Sequence, residues 1–434
     1  ERDVERLRRV EASGVTCLAG ELPIFWTEAA GCNVRDADGN VYVDLTAAFG
    51  VAALGHRHPR IVDAVRVQAD RLVHGMGDVH PPEVKVRCLE AIAATVPVPD
   101  AQTVLATSGA EAVEIALKTA ALAAGRPGVL CFTGAYHGLT YGALAVTDRA
   151  HFRAPFEPQL NPHVVRVPYP DPYRRPIEFP PDADPAAAAL AAARHALATE
   201  RGRRVGAVLV EPILGRGGVV VPPDGFLRGL RELCDAHGLL LILDEILTGL
   251  GRTGRTLACE HEGVVPDLVC LGKALTGALP FAACVGRASA MAAWPPSTGE
   301  AIHTSTFLGH PLGCAAAIAS LDLLREERLA ERAARLGTRA LDRLRTWTER
   351  DPRVGDVRGR GLLLGVEFVR DRERRTPDPD AAAAVARAAL RRGVLVLRAG
   401  PYGNVLQLTP PLTIPEPLLD GALDLLEACL DETR

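Results

Sequence analysis

Lysine is scarce in this chain of 434 residues, although basic residues in general are not. Only three of its 49 basic residues are lysines, namely Lys85, Lys118 and Lys273, and all the others are arginines. Arginine thus serves wherever a positive charge is sufficient. A guanidinium stays protonated in proteins, whereas a lysine amine can lose its proton and act as a base or nucleophile. We therefore expect a lysine that is kept against this bias to be needed for its amine.

A large excess of charge of one sign is also absent. The formal net charge is −4 and aromatic residues make up 4% of the chain. No basic patch carries interleaved aromatic residues. Such a surface gives no electrostatic reason to attract nucleic acid or an anionic membrane. We therefore expect neither as a partner.

Long hydrophobic runs are missing as well. No stretch approaches the roughly 18 unbroken apolar residues of a membrane-spanning helix. The N-terminal sequence ERDVERLRRVEASG is charged and lacks the apolar centre of a signal peptide. The sequence therefore predicts a soluble protein.

The ten cysteines form no pattern that would indicate a bound metal or a disulfide framework. They are scattered, at positions such as Cys17, Cys88, Cys131, Cys234 and Cys314, with no C-x-x-C pair. No cluster of cysteine and histidine has the spacing of zinc ligands. Cysteines of this kind are typical of reduced core residues in the cytosol. We therefore expect a cytoplasmic protein without a metal site.

What the sequence does contain is a regular alternation of short apolar runs and helix-like stretches between Thr103 and Val285. Runs such as GVLCF, AVLV, LLLIL and DLVCL are apolar throughout, and stretches such as GAEAVEIALKTAALAAG separate them. Strands that are apolar on both faces are typical of a parallel sheet covered by helices on both sides. The sequence therefore predicts an α/β core.

The chain is long enough for more than one structural unit. A proline-rich segment at 155–185 resembles a linker, but strands and helices continue on both sides, so we interpret it as a surface loop within one domain. Beyond about Ser320 we predict one long helix, at 321–350, followed by mixed strands and helices of a smaller α+β lobe. We predict three units: residues 1–60 form an N-terminal segment of the small lobe, residues 61–320 form the large domain, and residues 321–434 form the C-terminal small domain. The N-terminal segment contains a predicted hairpin that turns at Asp38–Asn40.

Polar residues follow four of the predicted elements of the core. They stand just after TVLAT, AVLV, LLLIL and DLVCL and are Ser108-Gly109, Glu211, Asp244 and Lys273. Taken singly, each has an ordinary structural explanation, such as a turn cap, an ion pair with an arginine or a solvated loop charge. Ligands of open α/β sheets bind at the carboxyl ends of the strands. We therefore expect these side chains to meet in one site.

An amine and a buried carboxylate at one sheet edge suit pyridoxal 5′-phosphate (PLP). The amine forms a Schiff base with the aldehyde, and the carboxylate keeps the ring nitrogen protonated. Opposite charges about 4 Å apart attract by roughly 4 kcal/mol at an effective dielectric of about 20, which is sufficient to hold that proton. The segment Thr107–Glu111 opens a helix whose free N–H groups can seat the phosphate. The same letters also fit an ordinary helix that begins at a serine.

A competing motif is present at Gly249–Gly254, which fits G-x-G-x-x-G and follows an apolar strand. A dinucleotide site is therefore the alternative hypothesis. Two features oppose it, because four residues separate Asp244 from the first glycine and the sequence RTLACEHEGVVPD does not form an amphipathic helix pattern. A non-catalytic binding protein is a further alternative, which the joint presence of amine, carboxylate and phosphate seat disfavours.

Six further segments follow one another along the chain, namely SGAEAVEIALK, GAYHGLTYGALAVT, VEPILGRGGVVVPPDGFL, LILDEILTGLGRTG, DLVCLGKALTGALP and HTSTFLGHPLGCAAA. In this order they closely resemble the class III aminotransferases, PLP enzymes of fold type I that include 4-aminobutyrate, ornithine and other ω-amino transaminases. The resemblance extends from about Gly31 to Pro411. It implies a mostly parallel, mixed sheet in the large domain and a ping-pong transfer of an amino group from an amine or amino acid to a 2-oxo acid.

The resemblance also implies roles for individual residues. Lys273 would hold the cofactor and carry a proton between the substrate α-carbon and the cofactor C4′. Asp244 would bond the pyridine nitrogen, and Glu211 would lie nearby, where it often pairs with a substrate or gating arginine. The other implied cofactor contacts are the phosphate-binding Ser108, Gly109 and Ala110, the ring-stacking Tyr136 and Ile246, and His137.

A further implied contact crosses between two subunits. Thr306 would reach the phosphate of the neighbouring subunit. The active site would then be complete only in a homodimer.

Three positions depart from the 4-aminobutyrate-type members. Leu139 stands where those enzymes carry an arginine for the distal carboxylate, and Leu247 replaces a glutamine aimed at the cofactor's phenolic oxygen. Gln407 occupies the place of an arginine that grips the α-carboxylate of glutamate or 2-oxoglutarate. Glutamine supplies only neutral donors, so binding of a five-carbon diacid is weakened unless another arginine such as Arg398 substitutes.

Phe49 and Leu139 are expected near the substrate and make the predicted pocket apolar. We therefore predict an amine or a neutral amino acid as the amino donor, with pyruvate as the acceptor. The alternative is a PLP-dependent racemase or epimerase of neutral amino acids. The fold hosts both reactions, and the same lysine can return a proton to either face if a second base is present.

Overall fold

The computed structural model describes residues 2–16 and 23–434. Its strands, in chain order, are β1 (Trp26–Ala30), β2 (Asn33–Asp36), β3 (Val41–Asp44), β4 (Ala101–Ala106), β5 (Gly128–Phe132), β6 (Val164–Val167), β7 (Val205–Val210), β8 (Leu240–Asp244), β9 (Leu268–Leu271), β10 (Ala282–Arg287), β11 (Val354–Arg360), β12 (Leu363–Asp371), β13 (Thr376–Pro377), β14 (Val394–Leu395), β15 (Leu397–Ala399) and β16 (Val405–Leu408).

Helices alternate with the strands along the chain. They are α1 (Arg2–Val10), the helical turn α2 (Ala47–Gly50), α3 (Pro59–Ala69), α4 (Glu83–Ala93), α5 (Gly109–Ala124), α6 (Tyr141–Val146), α7 (Ala150–Arg153), α8 (Pro185–Ala198), α9 (Phe226–His237), α10 (Ala288–Met291), α11 (Pro311–Glu326), α12 (Leu329–Arg345), α13 (Trp347–Arg350), α14 (Pro379–Arg391) and α15 (Glu416–Glu432). None of the helices in the described part of the chain is long and apolar enough to cross a membrane.

A seven-stranded sheet in the order β4-β10-β9-β8-β7-β5-β6 forms the centre of the molecule. Five strands from β9 to β6 are parallel, and β10 runs antiparallel to both of its neighbours. Every residue of β5, β7 and β9 is buried. The predicted α/β fold is thus confirmed, and the sheet is mixed because of β10.

Two smaller sheets accompany it. The first has the order β1-β2-β3-β14, so that the two ends of the chain share one sheet through the parallel pair β3 and β14. The predicted hairpin is present there, and the Asp36 carboxylate accepts hydrogen bonds from the N–H groups of Asp38 and Asn40. The second has the order β11-β12-β16-β15, with β13 beside β12. The domain boundaries at residues 60 and 320 stay a prediction.

Two predicted elements differ in the structure. The prediction of one long helix at 321–350 is wrong. Helix α11 begins at Pro311 and ends at Glu326, and α12 and α13 follow as separate helices. The break lies at Arg328, whose φ of +49° is left-handed and cannot continue a right-handed helix. The proline-rich segment is only partly a surface loop, because its Tyr169 and Phe179 are buried in the core.

The cysteines follow the prediction of buried thiols. The nine cysteines of the described residues are free and buried. Burial raises the pKa of several of these thiols, for example that of Cys131 and of Cys234 to about 12. Cys17 lies outside the described residues.

Glycines at two helix-interior positions allow a test of this packing. A Cβ at Gly337 in α12 would lie 2.0 Å from the carbonyl oxygen of Gly361, whereas a Cβ at Gly421 in α15 would have no neighbour within 4 Å. We expect Gly337→Ala to lower the free energy of unfolding by about 1–3 kcal/mol because backbone must shift. Gly421→Ala is the matched control and should raise it by about 0.5–1 kcal/mol. Urea unfolding measures both, and equal shifts of the two midpoints would contradict the packing described.

Candidate active site

The carboxyl ends of three adjacent strands bring the predicted residues together. Val210 of β7 pairs with Leu243 of β8, and Asp244 pairs with Cys270 of β9. Glu211 and Asp244 therefore stand side by side at the sheet edge, and Lys273 comes shortly after the end of the next strand, β9. All three line one cleft of about 310 Å³.

Lys273 begins a short 3₁₀ turn and has a φ of +44°. Left-handed backbone is unusual for a non-glycine residue and is often retained where it aims a functional side chain. Burial lowers the pKa of the Lys273 amine below its ordinary value of 10.5, although the charges of Asp244 and Glu211 act in the opposite direction. Burial thus shifts the amine toward its neutral, nucleophilic form.

Asp244 is buried and is held by two hydrogen bonds. Its Oδ2 atom lies 2.7 Å from Nδ1 of the buried His137, and its Oδ1 atom accepts from the N–H of Ile246 at 3.1 Å. His137 is in turn fixed through its backbone N–H, which donates to Thr147 Oγ1 at 2.9 Å. The carboxylate therefore has a defined orientation while its lone pairs still face the cleft.

Glu211 is bound by backbone groups on both of its oxygens. Oε1 accepts from the N–H of Tyr136 and Oε2 from the N–H of Gly215, each at 2.9 Å. Burial raises the pKa of this carboxyl despite these two donors. Within the described residues it pairs with no arginine, so the arginine contact implied by the resemblance is not formed in this structure.

Helix α5 begins directly after β4 and points its first residues into the cleft. The Ser108 hydroxyl caps the helix by accepting from the N–H of Glu111 at 3.2 Å, and the Glu111 carboxylate accepts from Thr107. Gly109 and Ala110 line the cleft, and their N–H groups lie in the first turn, where no intrahelical acceptor exists. A Cβ at Gly109 would lie 2.9 Å from Cδ1 of Ile246, so a larger residue here would crowd the Ile246 side chain.

A strained turn lies next to the cleft. Residues 47–50 all have positive φ, from +44° at Ala47 to +82° at Gly50, which costs roughly 1–2 kcal/mol for each non-glycine residue. Asp44 holds the turn by accepting from Thr46 and Ala48, and it also bonds His56 Nε2 at 2.7 Å. Gly50 faces the cleft, where a Cβ would lie 2.8 Å from Leu247 and 3.8 Å from the Lys273 side chain.

The remaining predicted residues divide into two groups. Among those inside the cleft are Tyr136, His137, Leu139 and Ile246, with Leu247 beside them. Three of the remaining residues do not line the cleft. Phe49 borders a separate apolar cavity of about 550 Å³, Gln407 is buried in β16, and Thr306 is exposed on the surface. Their roles in cofactor or substrate binding stay predictions.

Arg216 is a residue of the cleft that the sequence reasoning missed. Its guanidinium carbon lies 4.6 Å from the centroid of the Tyr136 ring. The sequence signal that could have found it is a charged residue between glycines in GRGG, in the loop that follows β7 and Glu211.

The two other lysines lie beside the segment that carries Thr306. Lys85 donates from Nζ to the carbonyl oxygen of Gly77 at 2.6 Å, and a Cβ at Gly309 would lie 2.6 Å from its Cδ. Lys118 Nζ lies 3.1 Å from Nδ1 of His303. Lys85 and Lys118 therefore each make a specific hydrogen-bond contact, while Lys273 lies in the cleft.

The glycines of the alternative motif are packed inside the protein. Gly249–Gly254 is buried, and a Cβ at Gly251 would lie 2.7 Å from Leu324 of α11. Arg252 in the middle of the segment is fully buried and donates to the carbonyl oxygens of Leu362 and Pro410. The segment thus joins the large sheet to the C-terminal strands, and it forms no open cradle for a dinucleotide.

The residues of the cleft fit PLP in their chemistry. The cleft offers a lysine amine of lowered pKa, an oriented buried carboxylate, and helix N–H groups beside a glycine whose missing side chain leaves room. No group of three or more metal-ligating side chains occurs in residues 2–16 and 23–434. These features together define a PLP-dependent enzyme.

Comparison with known proteins shows which family of PLP-dependent enzymes the chain resembles. The sequence model of class-III aminotransferases matches residues 17–430. The chain is 38% identical to a 4-aminobutyrate aminotransferase of Mycobacterium leprae, over 99% of this chain and 96% of the relative. It is 32% identical to an alanine/serine racemase of Pyrococcus horikoshii, over 99% of this chain and 90% of the relative.

A solved structure extends the likeness to three dimensions. An amine transaminase from an uncultivated Pseudomonas species, in its PLP-bound form, superimposes with a TM-score of 0.89 at 30% identity and covers 98% of this chain and 99% of its own. The chain therefore belongs to the class-III aminotransferase family and has the predicted fold type I. It is a PLP-dependent aminotransferase, and transamination is favoured over the racemase alternative.

The lowered pKa of Lys273 gives a testable pH dependence. Only a neutral amine reacts with acetic anhydride, so acetylation of Lys273 in the cofactor-free protein should reach half its maximal rate at a pH below 10.5. Asp244 raises this pKa, so Asp244→Asn should move the midpoint to still lower pH. Peptide mass spectrometry over a pH series measures both.

The matched control is Glu326→Gln, because Glu326 pairs with Arg60 on the surface. It should leave the Lys273 midpoint unchanged. An unchanged or higher midpoint in Asp244→Asn would contradict the electrostatic description of the cleft.

Proposed function

We propose that the enzyme transfers the amino group of an amine or a neutral amino acid to a small 2-oxo acid such as pyruvate, with Lys273 as the residue that holds PLP. The observation that carries the proposal is the meeting of Lys273 and Asp244 in one cleft whose walls include Leu139, Ile246 and Leu247. Apolar walls favour an uncharged substrate side chain over a second carboxylate.

When bound, PLP supplies an aldehyde for attachment of amines and a ring that withdraws electrons from the substrate α-carbon. Lys273 Nζ would act as the base that accepts a proton from that carbon and as the acid that gives it back, and burial, which lowers the pKa of this amine, increases its neutral fraction. Asp244, which is oriented by His137, would accept a hydrogen bond from the ring nitrogen. Gly109 and Ala110 would donate their backbone N–H groups to the phosphate.

We further propose a homodimer in which Thr306 completes the phosphate site of the partner. Thr306 is exposed and lies outside the cleft of its own chain. Exposed apolar side chains surround its segment, among them Met76, Val79, Ile302 and Phe307. Apolar surface of this kind is typical of a protein interface.

A cytoplasmic location is part of the same proposal. It is supported by the nine free, buried cysteines of the described residues. Thiols that remain reduced are typical of the cytosol.

Reduction of the PLP-loaded protein with borohydride tests the role of Lys273. We expect a pyridoxyl mass tag on Lys273 alone, and Lys273→Ala should lower turnover by about 10³-fold or more, because proton transfer and attachment are both lost. Lys85→Arg serves as the control for loss of another lysine and should keep the tag on Lys273. A tag on Lys85 or Lys118 would refute the assignment.

Mixing two inactive variants tests the shared site. Lys273→Ala and Thr306→Ala homodimers should both be impaired, and their mixed dimer should contain one intact site if Thr306 acts on the partner. Unfolding and refolding an equal mixture should then restore clear activity above the two parents. If each chain used its own Thr306, no intact site would form and the mixture would remain at the level of the parents.

A single enantiomer distinguishes transamination from racemisation. Incubation of pure L-alanine with the loaded enzyme, without a 2-oxo acid, should leave the optical rotation unchanged at catalytic enzyme levels. Addition of a 2-oxo acid should start amino transfer. Loss of optical activity without the acceptor would favour the racemase alternative instead.

A further inference from the structure

Arg216 places a guanidinium at the wall of the active-site cleft. It shares the lining with Lys273 and Leu139. Its Cζ atom lies 4.6 Å from the ring centroid of Tyr136 and 5.7 Å from that of Phe152. A guanidinium that stacks on aromatic rings keeps its edge N–H donors available for an acceptor in the same plane.

The backbone of Arg216 is fixed on both sides. Its carbonyl oxygen accepts from Arg149 Nη2 at 2.8 Å and from the N–H of Gly400 at 3.1 Å. Gly215 before it donates to Glu211, and the carbonyl oxygen of Gly218 after it accepts from Arg358. The loop is therefore a rigid support, which is what binding of a substrate in one orientation requires.

The charge of Arg216 is not neutralised by the protein. Within the described residues its side chain forms no ion pair, and the two carboxylates of the cleft are engaged elsewhere, Glu211 with backbone N–H groups and Asp244 with His137. The residue lines the cleft and is exposed to solvent. An arginine beside a site for amino acids, with donors unused, is suited to a carboxylate.

We propose that Arg216 binds the carboxylate of the substrate and so replaces the arginines that are absent at Leu139 and Gln407. This inference rests on the proposed function and narrows its substrate class to monocarboxylic amino acids and 2-oxo acids. The single guanidinium binds one carboxylate, and the apolar side chains of Leu139 and Leu247 contact the remainder of the substrate.

Arg398, the substitute considered from the sequence, is less well placed. It lies on β15 and opposite Leu406 of β16, and it does not line the cleft that contains Lys273. It therefore serves as the matched control for loss of an arginine near the C-terminal sheet.

Two amino donors that differ only in a carboxylate test the proposal. These are 2-aminobutyrate and propylamine, each mixed with the PLP-loaded enzyme while the cofactor absorbance is followed. Arg216→Gln should raise the KM for 2-aminobutyrate roughly 10- to 100-fold, the loss expected for charge-assisted hydrogen bonds, and change kcat little. The KM for propylamine should change by less than about twofold, since no carboxylate contact is lost. Arg216→Lys should give an intermediate KM because charge remains but the paired donors do not.

Arg398→Gln should leave both donors unaffected. Equal losses for both donors in Arg216→Gln would overturn the proposal and indicate a general role in the cleft. A selective loss for 2-aminobutyrate in Arg398→Gln instead would also overturn it.

Butyrate binding separates failure of this inference from failure of the proposed function. Calorimetry of the loaded wild-type enzyme with butyrate, which has no amino group to transfer, should show binding that Arg216→Gln weakens and Arg398→Gln does not. If neither donor were converted by the wild type, the proposed substrate range would fail while butyrate still reported on Arg216. Butyrate binding that is absent in the wild type or unchanged in Arg216→Gln would overturn the carboxylate role.

Discussion

Desolvation of a lysine next to carboxylates is the constraint on which the active site depends. Burial lowers the pKa of the Lys273 amine, although the charges of Asp244 and Glu211 act in the opposite direction. Hydrogen bonds hold both carboxylates in place, since His137 bonds Asp244 and two backbone N–H groups bond Glu211. Hydrogen-bond partners that are already in place hold a charged group at a fixed position, so the surrounding groups need not rearrange during the reaction.

The fold and the centre of the site could be predicted because they depend on local patterns. Fully apolar runs require burial on both faces, and the polar residue after each run then lies at a sheet edge, as for Asp244 and Lys273. The break at Arg328 had no such pattern, because a left-handed arginine looks like any helical residue in the sequence. Arg216 was missed for a similar reason, since stacking on Tyr136 depends on tertiary structure.

Arginine takes over the structural tasks that position these groups. Arg252 ties the segment after β8 to two C-terminal carbonyl oxygens, and Arg358 holds the loop that follows Glu211. The planar guanidinium with five donors suits such multiple contacts with carbonyl groups, which a lysine amine would satisfy less completely. Arginine thus makes the structural contacts, and one of the few lysines, Lys273, provides the reactive amine.

The strained turn at 47–50 has a consequence for engineering of the enzyme. Phe49, which the sequence predicts near the substrate, has a φ of +63° and borders a separate apolar cavity, and a library at this position would test that prediction with new amines. Glycine and asparagine relieve left-handed backbone, whereas β-branched side chains aggravate it. Variants recovered from such a library would therefore be enriched by conformational preference as well as by fit to the amine, and only a comparison of backbone-matched replacements would separate the two.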